Sequence, residues 1–159
     1  LSSSSAASDV YKRQPLFPWS VGTVWGYPNC GTTGVMGITK DRWTGELVSD
    51  VAIHYWADGM EPGYWALTNS EYMDELNNKN WDGLLDAHPK AGRWHAVVVR
   101  NWGHGDPLSP IVDFETTLTP CEGYGFVSCE QTSPDRISCK SEGAVQWVQI
   151  VFIKEYDIE

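Results

Sequence analysis

The residues of this 159-residue chain that could do chemistry are four histidines, a scatter of acids, four cysteines and nine tryptophans. The histidines are His54, His88, His95 and His104. His54 and His95 each lie in a β-prone run beside a tryptophan. Across a sheet they could meet and bind a metal together with an acid such as Asp113. No H-x-H or H-E-x-x-H spacing backs such a centre, and structural histidines are the commoner outcome. Hydrolysis would need paired carboxylates or a Ser/His/Asp set. Asp50, Asp58, Glu61, Asp74, Glu75, Asp82 and Asp86 fall mostly in expected loops or turns and in no nucleophile-elbow context, so they read as solvated surface. Calcium takes several loop oxygens, and Asp58, Glu61 and Asp86 could hold one if their loops converge, although no EF-hand or repeat-type pattern is present. The sequence predicts no catalytic residue, no metal ligand and no cofactor, with calcium the one ion left open.

Trp43, Trp65, Trp81 and Trp102 lie in or near expected loops, where the binding residues of a sandwich concentrate. An exposed indole can stack on a sugar ring while a neighbouring Asn or Asp bonds to its hydroxyls. Trp102, with Asn101 beside it in Asn101-Trp-Gly-His-Gly-Asp106, is the best-placed candidate. The alternative is that these rings cap the ends of a core. Cys30, Cys121, Cys129 and Cys139 include no C-x-x-C pair, which disfavours the usual zinc patterns. An even number of widely spaced cysteines reads as two disulfides formed in an oxidising compartment, with three connectivities possible. Four free thiols in a cytosolic protein is the competing reading.

Composition narrows the partners. Lys+Arg number 11 against 21 Asp+Glu, for a net charge of −10, so there is no basic stripe for nucleic acid. No apolar run is long enough to span a bilayer. Residues 4–14 match the in-frame translation of a transposase-type sequencing adapter, which makes 1–14 a non-native leader; a flexible Ser/Ala-rich leader is the alternative. Such segments are set aside before fold reasoning. The remainder, 15–159, suits one domain.

The elements that must position these residues are short strands. Residues 15–31 carry Pro18, Gly22, Gly26 and Pro28 and read as a linker or extended arm. Gly34–Thr39 is a strand candidate, followed by a turn in which Gly45 supplies the special backbone angle. Val51–Trp56 is next, with Val51, Ile53 and Tyr55 on one face and Ala52, His54 and Trp56 on the other. Residues 60–80 are irregular, with a short strand at Tyr64–Leu67 and one helical turn over Glu71–Leu76 capped by Ser70. Trp81–Asp86 is a further strand. Arg93–Arg100 is the clearest one, apolar on both faces. A two-glycine hairpin loop follows at Asn101–Pro107. Ile111–Thr117 then alternates, with Val112 and Phe114 inward and Asp113 and Glu115 toward water. Residues 118–143 form a cysteine-bearing excursion, and Ala144–Lys154 is the last strand. About seven short strands with turn signals and no long helix predict an all-β, antiparallel, immunoglobulin-like or transthyretin-like sandwich over 32–159.

One set of residues carries a resemblance. Cys30, Val35–Ile38, Gly45 and the Val51–Gly59 run ending Trp-Ala-Asp-Gly are followed by Asp86-Ala-His-Pro-Lys-Ala-Gly-Arg-Trp94 leading into Val97–Val99. Pro107-Leu-Ser-Pro110, Val112, Phe114–Thr117, Cys121 and Val145–Phe152 complete it. The pattern resembles the carboxypeptidase-regulatory-like, transthyretin-like modules of bacterial (Chloroflexi-type) secreted or envelope proteins, over about residues 30–156. The resemblance implies that Trp94 packs in the core and that Cys30 and Cys121 bridge, which leaves Cys129 and Cys139 as the second pair. This chain departs from the pattern at His95, where Tyr is usual, and in its 122–143 excursion. It implies no catalytic residues. The expected function is a non-enzymatic spacer or adhesive unit beside neighbouring domains of a larger surface protein. The alternative is a carbohydrate-binding module for cell-wall or extracellular polysaccharide, using Trp43, Trp65, Trp81, Trp102 and Asn101.

Overall fold

A computed structural model describes residues 16–69, 79–118 and 125–158. Among them are eleven strands and no helix: β1 (Trp19–Tyr27), β2 (Thr33–Asp41), β3 (Ala52–Ala57), β4 (Tyr64–Leu67), β5 (Trp81–Asp86), β6 (Gly92–Asn101), β7 (His104–Pro107), β8 (Ile111–Thr116), β9 (Phe126–Ser133), β10 (Arg136–Ser141) and β11 (Trp147–Lys154). They form two sheets. The first runs β1-β11-β2-β5, and the second runs β4-β3-β6-β8-β10-β9 with β7 also paired to β6.

The all-β expectation and the two-sheet layering hold, but two details need correction. Among the described residues the strands number eleven, against about seven expected, and neither sheet is wholly antiparallel. β11 lies parallel to β2 from Trp147↔Gly34 to Lys154↔Asp41, and β10 lies parallel to β8. A parallel pair needs a long connection: residues 117–135 separate β8 from β10, and β3 to β10 separate β2 from β11. β2 and β11 show the near-continuous burial of centrally placed strands. Gly37 permits their contact, since a Cβ there would lie 1.8 Å from the Ile150 carbonyl oxygen.

The extra strands come from segments read as irregular. The supposed linker or arm at 15–31 holds β1, which pairs antiparallel with β11 from Trp19↔Lys154 to Tyr27↔Trp147. The excursion at 118–143 holds the β9–β10 hairpin. Cys129 and Cys139 face each other across that hairpin and are joined by a disulfide, with their Cα atoms 4.1 Å apart. Cys30 is disulfide-bonded as well, and among the described residues no cysteine is free. Its expected partner Cys121, the leader 1–14 and the helical turn at 71–76 with its Ser70 cap lie outside the described residues.

The core sits between the sheets. Ile53 and Tyr55 of β3, Trp94, Ala96 and Val98 of β6, and Val112 and Phe114 of β8 meet Val35, Trp81, Val148, Ile150 and Phe152 of the first sheet. The alternations read in β3 and β8 are those observed. Trp94 is buried, and its indole N–H donates to Thr116 Oγ1 at 2.7 Å, so its polar atom is satisfied. Gly45 has φ of 72°, the left-handed angle expected of it in the turn after β2.

Candidate functional site

Two surface regions carry unusual side chains. The first is one end of the sandwich. Trp19, which pairs with Lys154 and so lies level with the end of β2, bonds to Leu108, which in turn bonds to Val98 near the end of β6. Ala52 at the start of β3 pairs with Val99 near the end of β6. Trp43, just past β2, and Trp102, just past β6, therefore share that end. Backbone bonds tie the end together: Trp19 N to Leu108 O at 3.0 Å, Arg42 N to Lys154 O at 3.0 Å and Glu155 N to Pro18 O at 2.7 Å.

Trp43 is 79% exposed and Trp102 is 55% exposed. Trp43 is nevertheless held in place. Its indole N–H donates to Glu155 O at 3.0 Å, and its backbone N–H donates to Asp41 Oδ1 at 2.8 Å. The backbone N–H groups of Thr44 and Trp43 hold the Asp41 carboxyl below the usual carboxylate value. Glu155 in turn accepts from Arg42 and Ser20, and the Arg42 bond is the main cause of its lowered pKa. Arg42–Glu155 pins the terminal segment against the turn that bears Trp43.

The second region is the outward face of the second sheet. Register places Trp56 of β3, His95 of β6, Asp113 of β8 and Ser138 of β10 in one row across four strands. His95 Nδ1 lies 2.6 Å from Asp113 Oδ1, and His95 Nε2 bonds to Asp58 Oδ1. Arg136 Nη1 donates to both oxygens of Asp113 at 2.8 Å. Asp58 is held below the usual carboxylate value chiefly by its bond to His95. A recess of about 290 Å³ opens here, with Arg93, Glu115 and Lys140 beside these groups.

Toward the tryptophan end, the same face turns apolar. Ala52, Val97 and Val99 are buried there beneath Trp56, Trp65 and Ile111. This explains why β6 reads as apolar on both faces. His54 is sandwiched in that layer, stacked on Trp65 at 4.7 Å and on Trp56 at 4.4 Å between ring centroids. Rings stacked on one another present their edges, so this row is not a flat platform for a ligand.

The structure sorts the predicted residues. Trp102 and Trp43 are exposed on turns, as sugar-stacking candidates must be, and Asn101 is exposed at the end of β6. Trp65 is half-buried on the strand face, stacked on His54. Trp81 is a core residue at 4% exposed, because the alternation of β5 points Trp81 and Leu85 inward and leaves Leu84 outside. His54 and His95 do not share Asp113: His54 donates instead to the Pro62 carbonyl. Both His95 nitrogens are engaged by carboxylates, Nδ1 by Asp113 and Nε2 by Asp58. The suggested calcium set is not gathered. Asp58 serves His95, while Asp86 accepts from the His88 backbone N–H at 2.9 Å and lies 3.5 Å from Lys90 Nζ. Among the described residues no group of three or more His, Cys, Asp or Glu is placed to hold a metal ion.

Arg93, Arg136 and Lys140 were missed by sequence reasoning. They are far apart in the chain, and only the strand register gathers them. No helix among the described residues is long and apolar enough to cross a membrane. No protein-family model, curated protein or solved structure matches the chain.

Proposed function

We propose that this chain is a non-enzymatic accessory module of a larger extracellular protein, and that it contacts carbohydrate through the end bearing Trp43 and Trp102. The observation carrying this reading is that two indoles stand largely exposed on turns at the same end of the sandwich. An aromatic ring of this size gains much by burial, so ordered exposure favours use of its face in binding. A sugar ring is a fitting partner because its C–H face stacks on indole while Asn101 and nearby polar groups bond to its hydroxyls. The disulfides and the resemblance to secreted transthyretin-like modules support an oxidising, extracellular setting.

The test is retention of the chain on insoluble peptidoglycan, chitin and cellulose, with Trp102→Ala and Trp43→Ala alongside. Selective retention that either substitution abolishes is the expected result. Absence of retention on all three would replace carbohydrate contact by a spacer role beside neighbouring domains.

A further inference from the structure

The recess on the outward face of the second sheet has an imbalance of hydrogen-bonding groups. Both hydrogen bonds of Arg136 to Asp113 leave from Nη1, and its Nε and Nη2 remain uncommitted among the described residues. Arg93 commits only Nε, to Glu115 Oε1 at 3.1 Å, and its two terminal nitrogens remain open. Lys140 is exposed with no carboxylate within ion-pair range among the described residues. The acceptors are more fully engaged. Both Asp113 oxygens accept from Arg136, and His95 lies within hydrogen-bond distance of Asp113 Oδ1 on one side and Asp58 Oδ1 on the other. Three cationic groups with open N–H donors thus converge on one recess, in a chain whose net charge is −10.

From this we infer a second ligand site, for the carboxylate of an acidic sugar, on a surface separate from the tryptophan end. The planar guanidinium forks of Arg93 and Arg136 suit a carboxylate, and charge-assisted bonds of this kind are the stronger ones. The Asp113 grip on Arg136, and the His95 bond behind it, fix that guanidinium before any ligand arrives. Asp58 Oδ2 and Glu115 Oε2 stay open to accept from ligand hydroxyls. A sugar acid supplies both parts, one carboxylate and several hydroxyl donors. A peptide carboxylate would lack the adjoining row of hydroxyl donors that Asp58 Oδ2 and Glu115 Oε2 would take. The recess, at about 290 Å³, is at the small end for ligand pockets and suits one sugar unit.

The experiment is calorimetric titration of the chain with a galacturonic acid trimer and with its methyl ester, which keeps the rings and removes the charge. The acid is expected to bind about tenfold or more tightly than the ester and to weaken as salt is raised. Combined Arg93→Gln and Lys140→Gln should abolish that preference, while Trp43→Ala with Trp102→Ala should leave it intact. Thermal melts of both variants verify folding, and all four side chains are exposed enough to permit it. Equal binding of acid and ester overturns the proposal, as does no binding of the acid, or an acid preference that survives the Arg93/Lys140 change. An acid preference lost only with the two tryptophans overturns it too, and moves the ligand to the sandwich end.

Discussion

The tryptophan end and the outward sheet face build surfaces from opposite materials. At the end, turns hold apolar rings in water by hydrogen bonds made elsewhere: Asp41 fixes the turn, and Glu155 fixes both Arg42 and the Trp43 indole. On the sheet face, strands hold charged groups in rows, and the groups fix one another through Asp58, His95, Asp113 and Arg136. The end offers ring faces with little directional demand. The sheet face offers directional donors with little apolar area. A turn can move with small cost to the core, whereas every residue in the row is tied to a strand register. The two surfaces therefore differ in how far mutation of one residue should spread.

The largest expected effect contrasts with both regions. Trp94→Ala should cost roughly 3–5 kcal/mol in chemical denaturation, since it opens a core cavity and leaves Thr116 without its indole partner. Trp43→Ala and Trp102→Ala should each cost under about 0.5 kcal/mol, as exposed positions do. Comparable losses at all three would erase the distinction between core rings and end rings. Next in size, Cys129→Ser with Cys139→Ser should destabilise by about 2–3 kcal/mol, from the entropy of closing so short a loop. An unchanged denaturation midpoint would mean that the hairpin holds itself.

Asp113→Asn should cost about 1–2 kcal/mol, because one substitution removes the negative charge between His95 and Arg136 and turns one of the two acceptor oxygens into a donor, discounted for its partial exposure. Heteronuclear spectra should show shifts across β6, β8 and β10 but none at Trp43. Shifts confined to Asp113 would show that the row is a set of independent pairs. The smallest effect concerns pH at the end. Glu155 has a folded pKa below its ordinary 4.5, so its contribution is fully present above that value and is lost as pH falls through the lower folded one. Glu155→Gln should flatten the acid side of the melting-temperature profile. A profile as steep as that of the unsubstituted chain would assign the acid loss to other carboxylates, such as Asp58.

Sequence patterning was most legible where one face of a strand is buried. Tyr64–Leu67 and Trp81–Asp86 were readable to the residue, and Val112 and Phe114 were correctly turned inward. β1 was obscured by its glycines, which read as loop signals. Gly26 is there because a Cβ would lie 2.6 Å from the Val145 side chain, a packing reason invisible without the partner. β9 and β10 were obscured because most of their side chains are polar and no apolar alternation marks them. Trp81 was assigned to a loop-edge binding role although its own strand, correctly read, gave it an inward position. The charged row was out of reach for a different reason. Asp58, His95, Asp113 and Arg136 lie in four separate segments, and only the pairing of β3, β6, β8 and β10 brings those segments together.

The placement of β11 bears on how the chain acquires its structure. β11, the last strand among the described residues, lies inside the first sheet, between β1 and β2. Neither of those earlier strands has its β11 neighbour until that strand has emerged during synthesis. Pairings so distant in sequence make for slow folding, on the order of milliseconds to seconds for all-β topologies. Through that interval β1 and β2 expose open edges, which gives a newly made chain its period of greatest exposure to aggregation.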